Sequence, residues 1–493
     1  MGAPASAAPS PVTRFLAGPL RPLIDGAAVR GTGRPIPLRD PSTGRTLGTI
    51  EGAGTEEVDR AVGAGRAAME GAWGAAGPAR RARILRRAAA LVDERSEELA
   101  ALEALGVGRP LSRARADVAA AADQLRFFAG MAEGLAAEDR ATVRPAGSRV
   151  RVVPEPAGVV AAVTPANLPL RLTSWKLAPA LAAGCAVVLK PSPEAPLAGL
   201  RLAGILEEAG LPPGAFAVVP GDAATGMALV SHPGLDAVSF TGSAAAGRAV
   251  AAAAAATPAR VTLELGGANA VIVMADADPA AAARGCLLAA FANAGQACSA
   301  GPRVLVHRRL HAAIREELIA GARALRAGPA LDPATELGPL VSERHAERVL
   351  ATVRRAVAQG ARIATGGARL GGSLSGGFFV APTVLDGVED AMDCARREVF
   401  GPVVFVQPFD EPDEAVERAN APGDGLVAGV WTADPGAAER AARRLSAGTV
   451  WVNCHHRYDA AVPFGGVRAS GYGRDSGPEA LAQYLAPRAI WIA

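Results

Sequence analysis

From residue 157 onward, short runs of β-branched and aliphatic residues alternate with helix-like stretches. The runs are "GVVAAV" (158 to 163), "AVVLK" (186 to 190), "AFAVVP" (215 to 220), "AVSF" (237 to 240) and "RVTLEL" (260 to 265). Between them lie helical patterns such as "LAGLRLAGILEEAG" (197 to 210), which ends at Gly210 with Pro212 just beyond. Strands and helices in this alternation form a parallel sheet covered on both faces, with ligands at the carboxyl ends of the strands. A second set follows residue 266: "AVIVM" (270 to 274), "RVLVH" (303 to 307), "PVVFVQPF" (402 to 409) and "GTVWVN" (448 to 453), with helices at 310 to 326 and 434 to 446. It predicts a second α/β domain. The segment before 140 reads as helical, notably 55 to 73 and 80 to 105, and no internal repeat is evident.

At 493 residues the chain exceeds one ordinary core, so two or three domains are expected. The 51 basic and 48 acidic residues are interspersed, with no Lys/Arg block to track a nucleic acid. The arginine-rich run at 79 to 87 reads as a solvated helix face. Five cysteines (Cys185, Cys286, Cys298, Cys394, Cys454), with no CxxC pair, speak against a disulfide framework or a zinc ribbon, and no metal is expected. This pattern suits a reducing, cytoplasmic compartment. The first 13 residues, Ala/Pro-rich, read as a disordered tail; their formal match to a myristoylation pattern is weak. The alanine-rich run at 247 to 257 is shorter than the ~20 apolar residues a membrane span requires. Of the 51 basic residues only Lys176 and Lys190 are lysines, which marks them as places where a compact ammonium serves and a planar guanidinium does not.

Three motifs carry chemistry. In "VSFTGSAAAGRAVAAAA" a strand turns through Gly242 into a helix opened by Ser243, an anion-binding arrangement suited to a dinucleotide diphosphate. Arg248 and Ala249 follow Gly247, so it is not a nucleoside-triphosphate loop. "NAGQACSAGPRV" sets Cys298 among small residues before a strand, and "VTLELGGANAV" places Glu264 at a strand end before a Gly-Gly turn. Gly471, Gly473 and Gly477 imitate a dinucleotide fingerprint, but the 16 residues beyond leave no room for the βαβ unit it requires.

With "TPANLPL", "WKLAPALAAGCAVVLKPS", "FTGS", "LELGG", "GQAC", "EVFGPV" and "PFGGVRASGYGRD" in order, and 34 residues from Glu264 to Cys298, the chain from about residue 20 resembles the aldehyde dehydrogenase superfamily, hydrolytic branch. The resemblance implies oxidation of an aldehyde to a carboxylic acid through a cysteine thioester. Cys298 is the implied nucleophile, and Asn167 with the Cys298 backbone N–H the oxyanion hole. Glu264 is the implied base that activates water, with Lys176 nearby setting its protonation. The implied cofactor contacts are Lys190 and Glu398 on the two riboses and Ser243 on the diphosphate, with Gly242, Thr164, Pro165, Gly266 and Phe400 around them. Leu168, Leu172, Trp175, Ser299, His455, His456, Arg457 and Phe464 are the expected substrate-pocket residues, with Arg457 a candidate partner for a carboxylate-bearing aldehyde.

Three positions depart from the family pattern. Ala166 replaces the tryptophan before the oxyanion asparagine, and Ala268 replaces a lysine after "ELGG". Pro193 stands where many NAD-preferring members carry a glutamate, with Glu194 one residue later, so NAD is expected and NADP stays open.

The expected fold is aldehyde dehydrogenase-like: two parallel-sheet α/β domains, a Rossmann-like cofactor domain and a catalytic domain, plus a small β oligomerisation element. The expected boundaries are 14–138 with 156–263 for the cofactor domain, 264–475 for the catalytic domain, and 139–155 with 476–493 for the third element. In that element 148 to 157 would pair with 486 to 493 and leave an edge for a homodimer or homotetramer. The rivals are a cysteine hydrolase or acyltransferase, with Cys298 activated by a histidine such as His455, and a retired dehydrogenase kept as a binding protein.

Overall fold

A computed structural model of the chain describes residues 10–141 and 149–492. Five parallel strands form the heart of the first sheet: Val159–Thr164, Ala186–Pro191, Phe216–Val218, Ala237–Gly242 and Arg260–Leu265. The middle strands are buried nearly throughout, which is why they read as unbroken apolar runs. Val159–Thr164 lies between Ala186–Pro191 and Ala237–Gly242, so the strand order reverses beside it and a crevice opens at the carboxyl ends.

Helices Pro78–Glu94, Leu111–Glu133, Pro169–Ala183 and Leu197–Glu208 cover one face of this sheet. Thr55–Glu70, Ala223–Val230 and Ala244–Ala254 cover the other. A fully buried side chain such as Leu91 or Leu85 contributes about 1.5–3 kcal/mol relative to exposure. Antiparallel strands finish the sheet at both edges: Gly471–Tyr472 against Arg260–Leu265, and Leu23–Ile24 against Phe216–Val218 with Ala27–Ala28 outermost. The glycine-rich stretch near the end thus supplies an edge strand, and Ala480 and Leu481 of the following helix Gly477–Gln483 enter the first core.

The second sheet holds six parallel strands: Ala270–Val273, Arg303–His307, Thr383–Asp386, Val403–Phe409, Val427–Trp431 and Thr449–Val452. Arg362–Thr365 adds an antiparallel edge. A third, three-stranded sheet pairs Leu485–Ile492 with Arg149–Pro156 along its whole length, and Glu138–Arg140 lies on the far side.

Four readings need correction or qualification. Residues 10 to 13 are ordered: Pro11–Ala17 is a helix capped by the Ser10 hydroxyl, because proline suits the first turn and serine the cap. Residues 1 to 9, with the myristoylation-like pattern, and 142 to 148, part of the expected oligomerisation element, lie outside the described residues. The stretch 80 to 105 is two helices, Pro78–Glu94 and Ser96–Val107, parted at Arg95, whose ψ of 22° leaves the helical range. The arginine-rich run is not wholly solvated: Arg81 is buried and donates to the Ala183 carbonyl at 2.6 Å. Among the described residues no helix is long and apolar enough to cross a membrane.

Candidate active site

The carboxyl ends of the first sheet gather the expected residues. Thr164 ends its strand, and Pro165, Ala166 and Asn167 lead into the helix Pro169–Ala183; Lys190 is the second-last residue of the next strand, Gly242 ends the one on the other side, and Glu264 is the second-last residue of Arg260–Leu265. Cys298 reaches this cleft from a loop between Pro279–Phe291 and Arg303–His307. That loop winds through Asn293 (φ 55°), Ala294 (φ 54°) and Gly295 (φ 70°), three consecutive left-handed residues. Only glycine fits at the third, where a Cβ would lie 2.0 Å from the Gly401 carbonyl oxygen.

A set of amides, of which the sequence reading singled out only Asn167, holds the loop. Asn269 Nδ2 donates to the Cys298 and Ala300 carbonyls at 2.7 and 2.8 Å, and its Oδ1 accepts from Val427 N. Asn167 Nδ2 and Asn293 Nδ2 both donate to the Gln296 carbonyl at 3.0 Å, and Asn293 also reaches the Asn167 carbonyl. Gln296 Oε1 accepts from Val341 N. Asn167 therefore has one amide hydrogen committed, to the carbonyl two residues before Cys298, and one free. Asn269 and Gln296 sat inside quoted motifs, but only their contacts reveal the task.

Cys298 is half-buried. Burial, then the carboxylates of Glu398 and Glu264, push its thiol up to about 12, so it rests as a neutral thiol and needs a base. Glu264 is buried with both oxygens unpartnered. Burial and the neighbouring Asp475 carboxylate hold its carboxyl well above the usual range, against the pull of Lys176 and Arg474. Lys176, fully buried, donates to Ser239 Oγ and Asp475 Oδ2, both at 3.1 Å. The lysine thus sits beside the base but pairs with Asp475, a residue present in the last quoted motif and not assigned a role there.

On the far side, Glu398 lies against Gly266, where a Cβ would come within 2.3 Å of its carboxylate oxygens. Its Oε1 is buried without a partner, and burial raises its carboxyl to about 8 despite nearby Arg348. Burial lowers the Lys190 ammonium to about 8, and among the described residues it makes no hydrogen bond. Thr241 Oγ1 is likewise buried and unpartnered. Ser243 caps its own helix by accepting from Ala246 N at 3.3 Å. Phe400 adopts φ 54°, and its carbonyl accepts from His345 Nε2 at 2.7 Å.

The substrate side is an aromatic and aliphatic cluster: Leu172, Trp175, Trp451 and Phe464, with Leu168, Tyr458 and Cys298 packed against it. Of the two histidines expected there, one is buried and the other half-buried. His455 is buried and donates to the Ser299 carbonyl at 3.0 Å, while His456 Nδ1 meets Tyr458 Oη at 3.1 Å and Ser299 Oγ at 3.3 Å. Arg457 is exposed, and its backbone carbonyl accepts from Trp451 Nε1. Burial lowers His455 to about 4, so it is neutral, and it is hydrogen-bonded away from the thiol. No histidine bonds to Cys298 among the described residues, which removes the support for the hydrolase reading.

Two parallel-sheet layers with a thiol, an amide and a buried carboxylate at their junction define an α/β enzyme that works through a cysteine. The model of the aldehyde dehydrogenase family matches residues 28–490. The chain is 44% identical over 471 residues to a betaine aldehyde dehydrogenase of Cereibacter sphaeroides, covering 95% of this chain and 96% of that one. Among solved structures, the NAD+ complex of an aldehyde dehydrogenase from Bacillus cereus matches with TM-score 0.95 at 38% identity, covering 98% of this chain and 99% of that one. A betaine aldehyde dehydrogenase from Staphylococcus aureus, also in complex with NAD+, matches with TM-score 0.95 at 36% identity, covering 97% of this chain and 95% of that one. The chain belongs to the aldehyde dehydrogenase family, a class of NAD(P)-dependent oxidoreductases.

Proposed function

We propose that this enzyme oxidises an aldehyde to its carboxylic acid with NAD, through a thioester on Cys298. The observation that carries the reading is the meeting of a half-buried thiol, an amide hydrogen left free on Asn167 and an unpartnered carboxyl on Glu264.

Cys298 Sγ forms a bond to the aldehyde carbon, and the carbonyl oxygen takes on negative charge. The free Asn167 N–H and the Cys298 backbone N–H face that charge. Glu264 accepts the thiol proton, a transfer favoured by its raised affinity for protons. The residues present fit a nicotinamide dinucleotide: Glu398 and Thr241 offer unpartnered polar atoms, Lys190 an unpartnered ammonium, and Gly266 a backbone flush with the carboxylate. When bound, that group supplies the acceptor for the hydride leaving the aldehyde carbon. Once Glu264 has released the thiol proton to solvent, its carboxylate takes a proton from water whose oxygen bonds to the thioester carbon; as the C–S bond breaks, Glu264 returns that proton to the Cys298 sulfur and the acid leaves.

Glu194 bears on cofactor choice. Its two oxygens are engaged by Ser192 at 2.7 Å and Arg344 at 3.0 Å, so its charge is balanced before any 2′-phosphate approaches. NADP is therefore a working, weaker alternative to NAD. We assign cofactor binding to 14–138 with 156–263, catalysis to 264–475 and subunit association to 139–155 with 476–493; the helix Gly477–Gln483, packed in the first core, supports moving residues 476 to 484 to the cofactor part. Five free cysteines support a reducing, cytoplasmic setting.

The test is absorbance at 340 nm with purified enzyme, aldehyde and NAD or NADP. Cys298→Ala is expected to lose on the order of 10⁴-fold or more of kcat/KM. Glu264→Gln, which removes both proton transfers, is expected to slow the first turnover as well as steady turnover, the latter by roughly 10²- to 10⁴-fold. Full turnover by Cys298→Ala would overturn the reading.

A further inference from the structure

Behind the aromatic cluster lies a group of four ionisable side chains that the reaction does not use, Arg109, Asp117 and Glu103 buried and Arg171 partly so. Arg109 Nε donates to Asp117 Oδ2 at 2.6 Å, and Arg171 donates to Asp117 Oδ1 at 3.3 Å. Glu103 Oε1 accepts from Leu170 N at 2.6 Å, and its Oε2 is buried without a partner. Burial, then Asp117, raise the Glu103 carboxyl to about 8, which keeps it protonated at neutral pH. Both guanidiniums bond to the single carboxylate of Asp117 and neither bonds to Glu103, so one carboxylate is shared between two arginines.

Arg171 brings its charge to the substrate side. Its guanidinium carbon lies 4.4 Å over the Tyr458 ring and 5.5 Å from the Trp175 ring. Tyr458 Oη is 2.6 Å from Ser299 Oγ, next to the nucleophile, and both rings belong to the cluster that contains Cys298. Arg171 Nε is buried with no partner, while 15% of the side chain stays open to solvent. An unpaired N–H on a permanently charged fork is an unmet demand for an acceptor.

The same placement bears on the other sign of charge. A cationic substrate would be held by the faces of Trp175 and Tyr458, and the Arg171 guanidinium already occupies them. Beside two guanidiniums, a quaternary ammonium meets like charge at these two rings.

We propose that the preferred substrate is a short aldehyde carrying a carboxylate at its far end, and that Arg171 is the residue that recognises it. The carboxylate accepts from the Arg171 guanidinium, which otherwise shares Asp117 with Arg109, while the aldehyde end lies at Cys298. Arg457, the arginine that the sequence offered for this purpose, is exposed and outside the cluster. The inference rests on the dehydrogenase reading above and deepens it.

The experiment compares kcat/KM, with saturating NAD, for succinic semialdehyde, butyraldehyde and betaine aldehyde: one anionic, one neutral, one cationic. The wild-type enzyme is expected to prefer succinic semialdehyde over both, and Arg171→Leu to lower the anionic-to-neutral ratio by roughly 10- to 100-fold, mainly through KM. The ratio cancels general damage to the fold, and Arg171→Lys, which keeps the charge without the fork, is expected to recover part of it. Equal or better use of butyraldehyde or betaine aldehyde by the wild type overturns the inference while the dehydrogenase reading stands. Reduction of neither NAD nor NADP by any of the three defeats the dehydrogenase reading itself, and the inference with it.

Discussion

At the scale of single residues, two buried acids set how this enzyme responds to pH. The Cys298 thiol is held at about 12, so the thiolate fraction rises about tenfold per pH unit through the neutral and mildly alkaline range. Alkylation of Cys298 by iodoacetamide, in a Cys454→Ser background that removes the other half-buried thiol, is expected to follow that slope between about pH 7 and pH 9; a plateau below about pH 8 would contradict it. Glu264 adds a stability effect of fixed sign. Its folded-state pKa is raised, so its contribution is full below the ordinary glutamate range and is lost as pH rises towards the folded value. Glu264→Gln removes that loss, so the variant is expected to melt above the wild type at about pH 8 and level with it at about pH 4, read by differential scanning calorimetry. Such a gain in stability from disabling the base is the usual mark of a working site. Glu264, Cys298 and Asn167 were legible because each stands in a compact motif. Asn269, Asp475 and Arg171 were not, because their roles lie in partners up to 299 positions away, as in the bond from Lys176 to Asp475.

At the scale of elements, the parallel strands were legible from their apolar runs, whereas the turn that presents the nucleophile was not. Three left-handed residues in succession leave no period in the sequence, and Ala294 at φ 54° is a conformation its side chain disfavours. The turn persists because Asn293, Asn167 and Asn269 spend their amides on its carbonyls. Gly295→Ala tests this dependence: it would put a Cβ against the Gly401 carbonyl and force an L residue into φ 70°. The expected cost is about 1–3 kcal/mol or more of stability by urea unfolding, with loss of most dehydrogenase activity, because the loop cannot shift without moving the thiol and the Gln296 carbonyl together. Wild-type activity and stability in Gly295→Ala would show that the turn is adaptable. The split at Arg95 has a related cause: the helix pattern runs on through it, and only the change of backbone direction at one residue divides the helix.

At the scale of the whole molecule, the C-terminal strand Leu485–Ile492 has one edge spent on Arg149–Pro156 and, among the described residues, the other unpaired. Ile490, Trp491 and Ile492 on it are 41%, 56% and 48% exposed, an apolar stretch beside open N–H and C=O groups. Single surface hydrophobics need no explanation, but three in a row on a free edge invite a second strand. Pro487 lacks an N–H, so pairing along that edge is expected to centre on the residues after it. We therefore expect a homodimer, or a tetramer of two dimers, joined through these strands. Trp491→Glu places a charge in the middle of the stretch while leaving the internal pairing with Val150 in place. Light scattering is expected to report a multiple of the subunit mass for the wild type and the single-subunit mass for the variant. A wild type that is monomeric at micromolar concentration would leave the exposed edge without a partner of its own kind. An unchanged assembly in the variant would move the interface to another face. The active-site residues lie on the first two sheets and on the helix and loops beside them, none on the third sheet, so an isolated Trp491→Glu subunit that folds should still alkylate at Cys298, which separates loss of assembly from loss of the site.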